Sequence, residues 1–583
     1  MNPFRTFLLT LTLTATLSCA SDFPAASGDR GSLLLTNGRI YSFAWPEPEL
    51  DGTPSAEAPQ AEGRWQPDAE AMLLRNGRIE WLGSSSEAES RRAEASRVVD
   101  LGGAVVLPGL VDAHTHVRGL GANLRRVDLV GVETEDEVLE RLRSQRPDVP
   151  AGKWIVGWGW DDGAWATRYP TWDRLSAAYP DNPVVLLSLH SFALWANRAA
   201  FAAAGIDAET EAPVGGEILR TADGELTGLL LNRATPLIVD AVPPPSRDEL
   251  REEVRAGLEE MARSGYVSVH EAGLDRETLA AFRELEERGE LPVRVYAMLS
   301  GRDRDLMEEW IARGPDCAPQ SMLRVCAVKA FWDGALGSRG ARLLEDYADR
   351  PGHRGVSGEG YGFDLELVGR SIGAGFQVGV HAIGDAGNRE TLEFFTRALD
   401  EYPAARERRH RVEHAQVVHP DDRARFADLG LVASMQPPHL AEDQAWAAAR
   451  LGPLRARGAY AWRSLRQAGA ELVFGSDLAG SDHDLFYGLH SAVTRRPRTR
   501  RTGEGWHPEE ALTVEETIRA YSSWAAYAAF LEGESGVLAP GRFADLTVVD
   551  VDPFALGAER AGELFEGRIL LTVVGGQVVF EAD

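Results

Sequence analysis

The chain has 583 residues, 44% of them hydrophobic and 26% charged, with a formal net charge of −28. That length allows a large core and more than one domain, and the balance is that of a soluble globular protein. So large an excess of acidic side chains argues against nucleic acid as a partner. The cysteines Cys19, Cys317 and Cys326 make no disulfide framework, and Cys326, inside an apolar run, is expected to be a buried small hydrophobe.

Residues 1–18 read as an export signal. Arg5 supplies the positive charge and Phe7 to Leu17 an apolar core too short to span a bilayer as a mature helix. Ser18-Cys19-Ala20 has the form of a bacterial lipoprotein cleavage site, so Cys19 is the candidate for lipidation and residues 19–30 form a tether. Cleavage near Ala20 with release into the periplasm is the alternative. Two β-rich regions follow, at residues 31–107 and 536–583. Asn37-Gly38 and Asn76-Gly77 are hairpin signals in the first, and Gly575-Gly576 marks a turn in the second. Neither end has strands enough for a sheet of its own, so the two are expected to form one small β-sandwich domain built from both termini. The Pro-, Glu- and Ala-rich stretch from Trp45 to Asp68 reads as a mobile surface insertion.

The middle, residues 108–535, repeats one pattern: an apolar strand ending in a residue that can bind a metal. Val111-Asp112-Ala113-His114-Thr115-His116 comes first, and on a strand residues i and i+2 share a face, so both imidazoles can reach one point. Later apolar runs end in Lys329, His381, His414 and Asp477. Helix-like stretches lie between them, for example Arg389 to Leu399 and Asp421 to Leu429. Strands alternating with helices predict a parallel α/β fold, and in a closed (β/α)8 TIM-like barrel the strand ends face one mouth. Each residue alone has a plainer reading: a hydrogen-bonded core histidine, a lysine reaching solvent, an aspartate capping a helix. All six at apolar strand ends in barrel order outweigh those readings. Glu413, one residue before His414, is expected to face the helices.

The quoted motifs resemble the metal-dependent amidohydrolase superfamily, in the branch that includes N-substituted formamide deformylases. The likeness runs from about Leu33 onward. It rests on Leu107-Pro108-Gly109-Leu110-Val111-Asp112-Ala113-His114-Thr115-His116, Gly157-Trp158-Gly159-Trp160-Asp161 and Ser268-Val269-His270-Glu271-Ala272-Gly273. It continues through Val328-Lys329-Ala330-Phe331-Trp332-Asp333-Gly334, His381-Ala382-Ile383-Gly384-Asp385, Arg411-Val412-Glu413-His414-Ala415-Gln416, Met435-Gln436-Pro437-Pro438-His439 and Gly475-Ser476-Asp477. The resemblance implies metal ligation by His114, His116, His381, His414 and Asp477, with Zn²⁺ or a similar divalent cation, one or two per chain. Lys329 matches a lysine that can be N6-carboxylated to a carbamate and bridge two metals. A long insertion at about residues 120–243, placed between the first and third barrel strands, carries Trp154, Trp158, Trp160, Trp165 and Trp172. Because Trp160-Asp161 matches the branch, the insertion reads as a lid.

The expected reaction is hydrolysis of a C–N bond in an amide or N-substituted formamide through metal-activated hydroxide, with Asp477 moving the proton. Trp160, Asp161, His270, His439 and Asp443 are the candidate substrate contacts; His270, in the third-strand motif, can instead orient a ligand. Ester or cyclic-amide hydrolysis uses the same machinery. A lipid-anchored metal- or solute-binding protein without turnover is the alternative outside enzymes. The expected partner is a small amide-like molecule, membrane contact comes only through a lipid anchor, a homodimer is allowed, and the location is the periplasm or the cell envelope of a bacterium.

Overall fold

The computed structural model describes residues 31–146, 149–160, 169–188, 193–213, 216–232, 234–337 and 339–582. The expected export segment, the tether with Cys19, Asp161 and Trp165 lie outside the described residues. No helix among the described residues is long and apolar enough to cross a membrane.

Among the described residues, eight parallel strands form the central sheet. They are β1 (Leu110–Thr115), β2 (Tyr266–Leu274), β3 (Arg294–Ser300), β4 (Leu323–Phe331), β5 (Gln377–Ala382), β6 (Arg411–His414), β7 (Val432–Met435) and β8 (Glu471–Phe474). Nearly every residue in them is buried, as expected of parallel strands covered by helices on one face and by the barrel interior on the other. The outer helices follow the 3.6-residue period. Helix Arg247–Arg263 starts at a capping box between Ser246 and Glu249 and turns Leu250, Val254, Leu258 and Met261 inward. The predicted helices near residues 389–399 and 421–429 are present as Asp385–Glu401 and Ala424–Leu429.

The barrel is nearly closed by contacts between the ends of β1 and β8. A parallel bridge joins Thr115 to Leu478, Asp477 N donates to His114 O at 2.9 Å, and His116 N donates to Leu478 O at 2.7 Å. The buried carboxylate of Asp112 accepts from Ser476 N at 2.9 Å, Ser476 Oγ at 2.6 Å and His114 N at 3.1 Å. Only glycine fits between them: a Cβ on Gly475 would stand 2.5 Å from His114 N.

The insertion lies between β1 and β2, which are neighbours in the sheet, so the segment with His270 is the second strand and not the third. The insertion builds a six-stranded sheet with apolar cores of its own. Trp160 belongs to that core. It is 0% exposed and its indole donates to Leu186 O at 2.9 Å, which corrects its assignment as a substrate contact. Trp195 is likewise buried, donating to Thr171 O at 3.1 Å. Large rings stabilise an insertion core by burial, and their N–H groups find carbonyls.

Strands from the two ends of the chain form two sheets, one of them from the N-terminal region alone, which corrects the expectation that neither end has strands enough for a sheet of its own. One holds Leu33–Thr36, Ala71–Arg75, Arg78–Gly83 and Arg97–Asp100; the other holds Arg39–Ile40, Val105–Pro108, Leu546–Val549, Ile569–Val574 and Gln577–Glu581. Leu35, Met72, Leu74, Val106, Leu546 and Val573 share one apolar cluster between them. Asn76 and Gly77 both take positive φ, 53° and 78°, and turn the hairpin between Arg75 and Arg78. The stretch from Trp45 to Asp68, expected to be mobile, is instead anchored. Trp45 Nε1 donates to Glu515 at 2.8 Å, and Trp65 packs on Phe554 with ring centres 4.6 Å apart. Aromatic burial there outweighs the polar composition that suggested a free loop. Cys326 is not a free thiol: it is buried and disulfide-bonded to Cys317, nine residues away, with Cα atoms 5.5 Å apart.

The sheet that both ends share is tied to the barrel by a buried ion pair. Arg294, at the start of β3, gives two hydrogen bonds to Asp545, at 2.7 and 3.2 Å, and Gly575 N donates to the same carboxylate at 2.7 Å. Removing one partner leaves the other charge buried and unpaired. We therefore expect Asp545→Ala to cost about 3–5 kcal/mol of stability, read as a lower denaturant midpoint; a midpoint unchanged from the parent chain would show that the pair is dispensable.

Candidate metal centre

The C-terminal ends of the barrel strands bring the six sequence-predicted groups to one place. His114 lies in β1, His116 just past it, Lys329 in β4, His381 in β5, His414 at the end of β6, and Asp477 after β8. Ligand atoms of His114, His414 and Asp477 all lie within 4.8 Å of one another. Asp477 Oδ1 is 3.2 Å from His116 Nε2 and 3.7 Å from His114 Nε2. The His381 and His414 rings are 4.4 Å apart, and Lys329 Nζ is 3.1 Å from His114 Nε2. His116 is the outermost of the set, its side chain 42% exposed.

Backbone conformation explains how neighbouring residues share this space. His414 has φ of 72° and Asp477 has φ of 62°, both in the left-handed region. A strand alternates its side chains, so Glu413 and His414 would normally face opposite ways. The break at His414 lets both face inward, which corrects the expected outward orientation of Glu413. That carboxylate is fully buried, holds His114 Nδ1 at 2.5 Å and pairs with Arg411 Nε at 2.7 Å. Gln436 Oε1 similarly sits 2.9 Å from His414 Nδ1. In each case the partner on Nδ1 fixes the ring and leaves Nε2 with its lone pair for a cation.

The electrostatics fit the same use. Burial, reinforced by Lys329, pushes His114 down to about 4 and His381 down to about 3. His414 is also held well below the ordinary histidine value by burial and by its imidazole neighbours. These rings are therefore neutral at pH 7, the form that binds metals. Burial opposes the charged form of Asp477, but the His116 contact and the His114, His414 and His439 rings outweigh it and hold the carboxyl well below the usual range. Burial pushes the Lys329 amine down to about 8. His381 Nε2 faces Asp333, 3.6 Å from its Oδ1, on the side away from Asp477. The fit to a divalent cation rests on the lone pairs of His114, His414 and Asp477, which lie within 4.8 Å of one another.

The remaining candidates divide. His439 is at the site, with Nε2 3.5 Å from Asp477 Oδ2 and its ring stacked 5.9 Å from that of His414. Asp443 is committed elsewhere: its carboxylate accepts from Gln416 Nε2 at 2.9 Å and from the Tyr460 hydroxyl. His270 is buried beneath the metal layer, facing Arg411 Nη1 at 2.9 Å and the Tyr296 ring at 5.0 Å, so it is not a substrate contact. Three residues that carry the site escaped sequence reasoning: Glu413, Arg411 and Asp112. The signal was present as charged residues inside apolar strands, which stay buried only when paired. Beside the centre, a cleft of about 300 Å³ opens between His116, Arg118, Glu271 and Asp275.

The amidohydrolase family model matches residues 97–580. The chain belongs to the amidohydrolase family. It is 32% identical over 523 residues to YtcJ of Bacillus subtilis (strain 168), which carries an amidohydrolase name, with 88% of this chain and 96% of that one covered. It is 28% identical over 537 residues to the N-substituted formamide deformylase of Arthrobacter pascens, covering 88% and 95%. Among solved structures, an uncharacterized metal-dependent hydrolase from Pyrococcus furiosus matches with a TM-score of 0.70 at 26% identity, covering 90% of this chain and all of that one. The protein is thus a hydrolase of a metal-dependent family whose members act on amide-type bonds.

Glu413 gives the site a direct test. Glu413→Gln keeps the shape but removes the charge that orients His114 and balances Arg411. We expect metal affinity to fall about 10–100-fold in competition with a chromophoric chelator; parent-like affinity would mean that His114 is oriented without it.

Proposed function

We propose that this amidohydrolase cleaves the C–N bond of an amide or N-substituted formamide, with His114, His116, His381, His414 and Asp477 holding one or two divalent cations, zinc in the first instance. The observation that carries this reading is the convergence of neutral imidazoles, one ionised carboxylate and one softened amine at a single barrel mouth. A cation bound there supplies Lewis-acid activation of water and of the substrate carbonyl. Asp477, beside His116 and His439, is placed to take the proton of the attacking water and return it to the leaving nitrogen. Its low pKa keeps it ionised and ready as acceptor at neutral pH. His439, 3.5 Å from Asp477, is the proposed substrate contact.

Lys329 is the candidate for N6-carboxylation. A neutral amine is required to add carbon dioxide, and burial favours that form of Lys329. The sheets from both termini form, in this reading, one small β-sandwich domain. The N-terminal sequence supports export to the periplasm, with anchoring through Cys19 or release after cleavage, and a homodimer remains compatible with it.

The deciding experiment combines metal analysis with a panel of amides, N-substituted formamides, esters and cyclic amides. Amide hydrolysis that is lost on chelation and restored by Zn²⁺ is expected; tight solute binding with no turnover on any member would favour a binding protein. Asp477→Asn should lower kcat about 10²–10⁴-fold while much of the metal stays bound, and retained activity would remove Asp477 as the proton carrier. The sign of the pH dependence follows from Lys329. His114 and His381 have already lost their protons above pH 5, so the change expected near pH 8 is the Lys329 amine becoming neutral. Metal affinity in bicarbonate buffer should therefore rise as pH increases through about 8, and the rise should vanish in Lys329→Met. An identical profile in both proteins would rule out the carbamate.

A further inference from the structure

At the end of the barrel opposite the metal centre, the first residues of β2, β3 and β4 enclose a cavity of about 20 Å³ against helix Ser523–Ala528 and the segment after it. That is room for one water-sized group. Arg324, His270, Ser268 and Ser535 line it beside the Arg294–Asp545 pair. The charges around it do not balance. Arg294 is neutralised by Asp545, and Arg411 by Glu413. Arg324 is only 3% exposed and has no carboxylate within ion-pair distance among the described residues.

Among the described residues the guanidinium of Arg324 gives one hydrogen bond, from Nη1 to Ala529 O at 2.8 Å, and its buried Nε has no partner. The carboxylate that influences it from farther away, Glu532, is itself paired with Arg409 at 2.6 Å. Burial accordingly pushes Arg324 below its ordinary value, yet a guanidinium stays protonated in proteins. A buried charge without a counter-ion carries a large desolvation penalty. A single small anion in the adjoining cavity would relieve it, with the serine hydroxyls as further donors.

We propose that this cavity is a structural binding site for one halide-sized monovalent anion, chloride under ordinary conditions, held by Arg324. The site would also brace the metal centre from below. Arg324 lies over the Tyr296 ring at 5.6 Å, Tyr296 packs against His270 at 5.0 Å, and His270 contacts Arg411, whose partner Glu413 holds His114. This inference concerns the interior of the barrel and does not depend on which bond the enzyme cleaves.

Bromide is the probe. Crystals of the metal-loaded protein grown in sodium bromide and measured at the bromine absorption edge should show an anomalous peak in the cavity against Arg324. In solution, the thermal midpoint should rise and saturate with added bromide or chloride, relative to the same ionic strength of gluconate, which is too large to enter. Arg324→Leu should abolish both the peak and the halide-specific shift. Electron density for water without anomalous signal overturns the proposal, as does a halide shift of equal size in Arg324→Leu. Should that variant fail to fold, the anomalous map of the parent protein decides alone.

Discussion

The buried carboxylate of Asp112 is the constraint on which the centre depends. It binds the backbone of its own strand at His114 and both the backbone and hydroxyl of Ser476 across the barrel seam. A parallel barrel has one seam where its first and last strands must meet, and here the seam carries His114 on one side and Asp477 on the other. The two groups are far apart in sequence, and loop closure of such length is entropically costly. Three hydrogen bonds to one fully buried carboxylate hold that seam in register, and Gly475 permits the approach by having no side chain to obstruct it. Burial pushes Asp112 up to about 6, while the hydrogen bonds from Ser476 and His114 pull toward the charged form.

Below the seam the barrel interior is organised in layers. The upper layer offers imidazole lone pairs and the Asp477 carboxylate. The next holds Glu413, Arg411 and His270, where Arg411 also donates to Ala113 O at 2.6 Å and to Ser434 Oγ at 2.8 Å. Such a network is costly to bury and is tolerated because nearly every donor and acceptor is matched. Its return is geometric: it sets the tautomer and direction of His114 before any cation arrives. Low exposure acts in the same direction by keeping the rings neutral, so that binding a metal requires no proton to leave them.

Large parts of this arrangement were legible from residue order alone. Apolar strands ending in His114, His381, His414 and Asp477 sufficed to anticipate a parallel barrel and a shared mouth, because side-chain alternation and strand polarity are local properties. The helices between the strands were legible for the same reason. The errors cluster where tertiary contacts override local rules. Trp160 looked like part of a lid because its motif is distinctive, yet a large ring in an insertion finds more to bury against within that insertion. The stretch around Trp45 and Trp65 looked mobile by composition, and a few aromatic contacts with Phe554 and Glu515 outweigh it. Glu413 faces inward where strand alternation predicts outward, because no sequence pattern announces a left-handed φ at His414.

What residue order determined by itself is therefore the class of fold, the identity of the groups at the strand ends and the chemistry they can perform, since each follows from periodicity and side-chain type. What only the folded chain decided is which charges answer one another across hundreds of residues: Asp112 with Ser476, Glu413 with His114 and Arg411, Arg294 with Asp545, and Arg324 with no carboxylate among the described residues. The physical reason is that burial makes a charge's partner matter more than its neighbours in sequence, and partners are chosen by the packing of the whole barrel.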